Sequence, residues 1–192
     1  PKGWVVEDID NTDPIVQQTE KDLGYAILAR LCPQAETLSK ASGGYDCPSE
    51  AEDYVSIIRF PDLQSKPEFS IFAHENKSIA ISDLLTYLIQ FQELHFNFTN
   101  FRLLKNIDRV VNVTDSQTNQ TTATAPAKYL EISYLDNHSR LMQQGFVLLV
   151  LDIDGNTGYF LHPVISTSTF SSPAQQLPPE HQQIFDSFKL VK

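Results

Sequence analysis

Five asparagines in this chain stand two positions before a serine or threonine, which is the spacing of an acceptor for N-linked glycan. Glycan of this kind is attached only outside the cytoplasm, so the pattern concerns where the protein resides rather than what it catalyses. Chance matches on a polar surface are the alternative, although more than half of the nine asparagines fall in such tripeptides. The sequence predicts N-glycosylation at Asn76, Asn97, Asn112, Asn119 and Asn137.

The chain has two cysteines, Cys32 and Cys47, which bracket a stretch containing proline, serine and the pair Gly43-Gly44. In an oxidising compartment, an even number of cysteines favours a disulfide, which here would close the loop over residues 32–47. Loop-entropy reasoning assigns such a bond about 3 kcal/mol. A metal site with further ligands nearby, or two unrelated thiols, would be compatible with the same residues.

The residues most often used in catalysis form no recognisable constellation. The five histidines, at positions 74, 95, 138, 162 and 181, are not at metal-ligand spacing from one another. Asp152-x-Asp154-Gly155-Asn156 begins like a calcium loop, but Thr157 and Pro163 stand where that loop needs Gly and Glu. A hairpin turn explains this segment better. No nucleophile elbow, phosphate-binding glycine loop or His-Glu-x-x-His motif occurs, so we predict no catalytic residue, no bound metal and no cofactor.

Length and charge restrict the possible partners. A chain of 192 residues with 41% hydrophobic residues is long enough for one domain with a normal core. A net charge of −10 argues against nucleic acid or an anionic membrane as partner. Residues 1–53 carry eleven acidic and four basic residues. No apolar run is long enough for a transmembrane segment. Since a glycosylated protein must be exported, we expect that a targeting segment has been removed or lies outside this sequence.

Periodicity and turn signals predict the elements that position these residues. Helices are predicted at Pro14–Leu23, at Ser82–Phe96 and from Pro179 to Phe188. Strands are predicted over residues 3–9, 25–31, 54–60, 68–74, 101–107, 109–114, 121–124, 127–135, 142–153 and 159–165. The run Phe146–Leu151 is apolar on both faces and is placed centrally. The predicted fold class is α+β: a central, mostly antiparallel sheet with helices packed against it.

Several short segments together are similar to one family. They are Pro1-x-Gly3-Trp4, Gly24-Tyr25, Ala29-Arg30-Leu31-Cys32-Pro33, Arg59-Phe60-Pro61-Asp62-Leu63, Thr118-Asn119-Gln120-Thr121 leading to Ala125-Pro126-Ala127-Lys128, and Ile184-Phe185-Asp186-Ser187-Phe188. This pattern, spread over nearly the whole chain, resembles the PsbP-like proteins, and most closely the secreted versions of ammonia-oxidising archaea of the Nitrososphaera type.

The resemblance implies an α/β/α sandwich in a single domain over residues 1–192, and an extracytoplasmic docking protein without enzymatic activity. Members of the family usually have a strand before the Pro-x-Gly-Trp segment, whereas this sequence starts at Pro1. Either the sequence is incomplete there or the sheet lacks an edge strand. In the second case, the open edge would accept a strand from a neighbouring molecule.

Three functional hypotheses remain after these observations. The first is a glycosylated cell-surface protein that binds or assembles with other envelope proteins or with copies of itself. The second is an extracellular hydrolase whose catalytic groups meet only in the folded chain. The third is a carrier of metal ions or small ligands that uses the acidic segment. The sequons, the cysteine pair and the family pattern favour the first.

Overall fold

The computed structural model describes residues 3–9, 12–34, 38–39, 45–47, 53–69, 79–95, 98–136, 140–164 and 176–192. The strands in these residues are β1 (Trp4–Asp8), β2 (Ala26–Pro33), β3 (Leu38–Ser39), β4 (Tyr45–Asp46), β5 (Tyr54–Phe60), β6 (Phe98–Thr114), β7 (Thr121–Asp136), β8 (Leu141–Leu151), β9 (Gly158–Val164) and β10 (Leu190–Val191). The helices are α1 (Pro14–Leu23), α2 (Ile81–His95) and α3 (Pro179–Ser187), with 3₁₀ turns at Leu63–Ser65 and Pro67–Phe69.

The predicted helix-flanked α/β/α sandwich is wrong, because the protein is a mostly-β fold. About 50% of the described residues lie in strands and about 26% in helices. The strands β1, β2 and β5 pair in that order, β8, β7, β6 and β10 pair in that order, and β3 pairs with β4. Strands predicted as separate pieces are joined into the long strands β6 and β7, and the few short helices do not form the layers of a sandwich.

Two compact units divide the chain, Pro1–Arg59 with Leu161–Ser187 and Phe60–Phe160 with Phe188–Lys192. The single domain expected over residues 1–192 stays a prediction. In the first unit, β2 pairs antiparallel with β1 on one side and with β5 on the other. The Arg59 guanidinium on β5 donates to both carboxylate oxygens of Glu20 on α1, at 2.9 and 3.2 Å. Both hydrogen bonds come from one nitrogen, Nη2, and this charge-assisted contact links the helix to β5.

Helix α1 begins and ends at the residues that the sequence predicts. Asp13 caps it by accepting a hydrogen bond from the Ile15 backbone N–H at 2.7 Å, and Pro14 takes the first helical position. Gly24 ends it in the left-handed region at φ 73°.

Helix α2 starts at Ile81, one residue before Ser82, the residue at which the sequence predicts its beginning. Ala80 accepts the first helical hydrogen bonds, and the Asp83 carboxylate reaches back to the Ala80 N–H at 2.8 Å. Ser82 therefore lies inside the first turn, while Asp83 supplies one half of a capping box.

The second unit is organised by two long strands. β6 and β7 pair antiparallel over most of their length, where the sequence predicts two separate strands in each region. β8 continues the ladder on the far side of β7, and α2 packs against all three strands. Leu84 and Leu88 of α2 are fully buried, as are Leu130 and Phe146 of the strands.

The segment Asp152–Thr157 forms a hairpin turn, as expected from its sequence. The Asp152 N–H donates to the Thr157 carbonyl at 2.8 Å, and the Asp154 carboxylate accepts from the Asn156 N–H at 2.9 Å. Asn156 also accepts hydrogen bonds from the backbone of the 3₁₀ turn Leu63–Ser65. The Asp152–Thr157 turn is thus stabilised by its own side chains.

One predicted element, the strand over residues 68–74, is not found as such in the described residues. The strand expected over residues 68–74 starts instead as the 3₁₀ turn Pro67–Phe69, and residues 70–74 lie outside the described part. Phe69 packs with its ring centroid 5.1 Å from that of Tyr87, on α2. Proline at the first position of this turn and burial of Phe69 explain why the chain turns here.

We expect Gly158→Ala to destabilise the protein by about 1–3 kcal/mol, since overpacking a filled core forces its neighbours to shift. A methyl at this position would meet both Leu84 Cδ atoms at 2.9 Å, and Leu84 is fully buried. Urea denaturation measures the loss. In a Leu84→Ala background the same substitution should cost less, and an equal cost in both backgrounds would contradict the packing argument.

Candidate interaction surface on the long hairpin

Cys32 and Cys47 form a disulfide, which confirms that predicted pair. Their Cα atoms are 6.0 Å apart, and both residues are buried. Cys32 lies on β2, and Cys47 directly follows β4. Within the first unit, the bond therefore joins the small β3–β4 ribbon to β2. The Cys47 backbone N–H also donates to the Glu7 carboxylate at 3.3 Å. The thiols are therefore used in a covalent link, and not as metal ligands.

The disulfide should contribute about 2–4 kcal/mol, because it restricts the unfolded chain over fifteen residues of sequence separation. We expect the double variant Cys32→Ala/Cys47→Ala to lose stability by this amount in chemical denaturation. Wild-type protein under reducing conditions should lose a similar amount, and no change in either measurement would contradict the role of the bond.

Two of the five predicted glycan acceptors lie in the described residues, and both are exposed. Asn112 on β6 is exposed between the buried Val111 and Val113. Asn119 is in the β6–β7 turn with φ 54°, and its side-chain oxygen accepts from Lys189 Nζ at 2.6 Å. Asn76, Asn97 and Asn137 lie outside the described residues.

Two of the histidines are placed in the first unit. His181 on α3 is 3% exposed, and its ring stands edge-on to Trp4 with centroids 5.0 Å apart. Neither ring nitrogen has a hydrogen-bond partner among the described residues. Burial lowers the pKa of His181, although Asp53 and Glu180 oppose this, and burial lowers the pKa of His162 on β9 to about 4. His95 ends α2, and His74 and His138 lie outside the described residues.

Acidification should destabilise the first unit because both histidines are kept neutral in the fold. The unfolded chain binds protons near the ordinary pKa of about 6.5, above the pKa in the folded state, so stability is full above that pH and falls towards pH 4. We expect a loss of roughly 1–3 kcal/mol between pH 7 and 4.5 in denaturant titrations. His162→Gln/His181→Gln should flatten this dependence, and an unchanged slope would contradict the assignment.

The middle of β6, residues 102–110, is exposed on both faces. Every residue from 102 to 110 is exposed, and four of them are large and apolar: Leu103 (40%), Leu104 (54%), Ile107 (38%) and Val110 (67%). One edge of β6 pairs with β7, while β10 pairs with the other edge only at Val113 and Thr114. Among the described residues, no strand pairs with the outer edge from Arg102 to Asp108.

Charged side chains accompany these apolar residues. Lys105 pairs with Glu131 on β7 at 2.9 Å, and Lys128 on β7 pairs with Asp108 at 2.6 Å. Together with Arg102 and Arg109, this part of the hairpin carries four cations and two anions. In a chain with a net charge of −10, it is therefore a locally basic surface.

Tyr129 forms the base of this surface. Its ring lies 5.8 Å from Lys105 Nζ and 5.4 Å from the Arg109 guanidinium, within the range of cation–π contacts. The Tyr129 hydroxyl donates to the Glu131 carboxylate at 3.3 Å. Burial and the nearby Glu131 raise the pKa of Tyr129, so it stays neutral and a donor. The Tyr129 ring therefore contacts both cations.

We call the outer edge of β6 from Arg102 to Arg109, with its side chains, the basic edge. Strands are predicted here, but their exposure is not among the predictions made from the sequence. The alternation Lys105-x-Ile107-x-Arg109, a single apolar residue between two cations, is the signal that would have suggested it.

No protein family model and no curated protein matches this chain. The likeness to the PsbP-like proteins therefore stays a prediction. In the described residues, the helices are too short or too polar to span a membrane, and no group of three or more His, Cys, Asp or Glu has the geometry to hold a metal ion.

Proposed function

We propose that this protein is an exported, N-glycosylated component of the cell surface that acts by binding other envelope proteins and has no catalytic activity of its own. The observation that carries the proposal is the basic edge, an exposed strand edge with apolar and cationic side chains in alternation. Exposed apolar residues grouped on one element are typical of interaction sites rather than of an inert surface.

The other features support this role. The disulfide fits an oxidising compartment. Asn112 projects from β6 on the opposite face from Ile107 and Arg109, because odd and even positions of a regular strand point to opposite sides. A glycan there would shield one face of the hairpin and leave Ile107 and Arg109 accessible.

Site-specific photo-crosslinking in the native cells would test the proposal. A photo-reactive residue replaces Ile107 on the basic edge or, as the matched control, Gln17, which is exposed on α1. We expect an adduct with an identified envelope protein from position 107 and none from position 17. The intact mass should show glycan on Asn112 or Asn119, and protease added to whole cells should degrade the protein.

Equal adducts from both positions, or no adduct from position 107, would contradict binding at the basic edge. Protection from protease in whole cells that is lost on lysis would contradict a surface location.

A further inference from the structure

The basic edge offers backbone groups in a regular arrangement. The β6–β7 register shifts between Leu103 and Lys105 and again between Val113 and Thr114, so the ladder is regular from Lys105 to Val113. A strand paired on one side leaves every second N–H and C=O directed away from the sheet. Because no strand pairs with the outer edge of residues 102–108 in the described part of the chain, these groups can accept an additional strand.

The side chains of the regular segment restrict what such a strand can contain. Lys105, Ile107 and Arg109 point to one face, opposite Glu131, Tyr129 and Ala127 of β7. A strand added next to β6 places its own alternate side chains beside these three, since directly opposed residues in a ladder lie close together. Carboxylates opposite the two cations and an apolar residue opposite Ile107 would complement this face. The chemistry matched is therefore acidic–apolar–acidic at every second position.

A second copy of the same strand complements this edge less well than an acidic strand does. In a two-fold antiparallel pair centred on Ile107, Lys105 of each copy would oppose Arg109 of the other, and centring on Asp108 or on Arg109 sets two identical charges against each other. Like charges directly opposite destabilise a pair of strands. A pair centred on Asn106 avoids this repulsion, but it sets Lys105 opposite Ile107 and supplies no carboxylate to either cation.

A lipid surface also fits poorly. Ile107 points to one face of the hairpin, whereas Leu103 pairs with Ile132 and Val110 with Pro126, both on the other face. The exposed apolar residues therefore cannot enter one membrane plane together. Insertion at an interface needs them on a single side, with the charges on the opposite side.

We propose that the basic edge binds an extended segment of another envelope protein as an additional β-strand, and that every second residue of this segment is in turn acidic, apolar and acidic. The inference rests on the proposed function and names the chemistry of its partner. Charges on an edge strand normally prevent indiscriminate pairing. Here Lys105 and Arg109 exclude apolar or basic strands and admit acidic ones.

Titration of the full chain with the acetylated, amidated octapeptide Thr-Glu-Thr-Val-Thr-Glu-Thr-Val, which places Glu, Val and Glu in turn on one face of a strand, would test this. We expect saturable binding by calorimetry that weakens with salt, together with slower hydrogen exchange at the amides of residues 102–108. The same peptide with a central Val replaced by proline, and a Lys–Val peptide, should not bind, because one cannot extend a ladder and the other has the wrong charge.

Two double variants test whether the peptide binds at the basic edge. Lys105→Glu/Arg109→Glu should weaken binding by about tenfold or more, the loss of two exposed ion pairs and their replacement by repulsion. The control Lys21→Glu/Arg140→Glu makes the same change in net charge on exposed residues elsewhere and should stay within about twofold, below the worth of one such pair. If the first variant is unfolded by circular dichroism, Lys105→Gln/Arg109→Gln replaces it.

Equal binding to both double variants, or binding of the proline peptide, would overturn the proposal. So would binding to anionic phosphatidylserine vesicles without binding to the peptide, or a stable homodimer in light scattering. A Glu–Val peptide that fails while the adduct at position 107 persists would overturn the strand chemistry and leave the proposed function standing. Loss of the adduct as well would overturn both.

Discussion

The antiparallel ladder between β6 and β7 is the constraint on which the second unit depends. It brings Val111 and Val113 against Ala125 and Ala123 and supplies the surface on which α2 packs. The same ladder runs on past the packed core, where it places Lys105 beside Glu131 and Asp108 beside Lys128. Core packing and the charged surface are thus consequences of one register. A slip by one residue would turn every side chain to the opposite face.

The basic edge combines two properties that usually oppose each other. Long exposed strands invite non-specific pairing, and proteins blunt them with charges and bulges. β6 has both devices, with register shifts at Thr99/Arg102 and Leu103/Lys105 and cations at Lys105 and Arg109. Ile107, the apolar residue between these two cations, is nevertheless exposed. On our proposal, such an edge discriminates between partner strands by charge.

Local signals in the sequence predicted the elements that local interactions control. Asp13 and Pro14 fix the start of α1, and the Asp152–Thr157 turn is held by its own side chains. The predictions were wrong where tertiary pairing overrides propensity. Separate strands are predicted on the two sides of Asp108, yet Lys128 on the paired strand contacts its carboxylate at 2.6 Å. A second gap is predicted at residues 125–126, but Pro126 lies opposite Val110 within one continuous ladder. Pairing over a long sequence distance joins these pieces into β6 and β7.

By itself, the sequence determined the chemistry available: five glycan acceptors, one cysteine pair, no catalytic motif, and a surplus of acid. Tertiary structure alone decided which residues are accessible and together. Pairing and packing bury Val111 and expose Ile107 on the same strand, although both are β-branched and apolar. They also place Arg109 and Lys105 over one tyrosine ring. Exposure depends on which neighbours cover a residue, and those neighbours are distant in the chain, so no local pattern could have determined it.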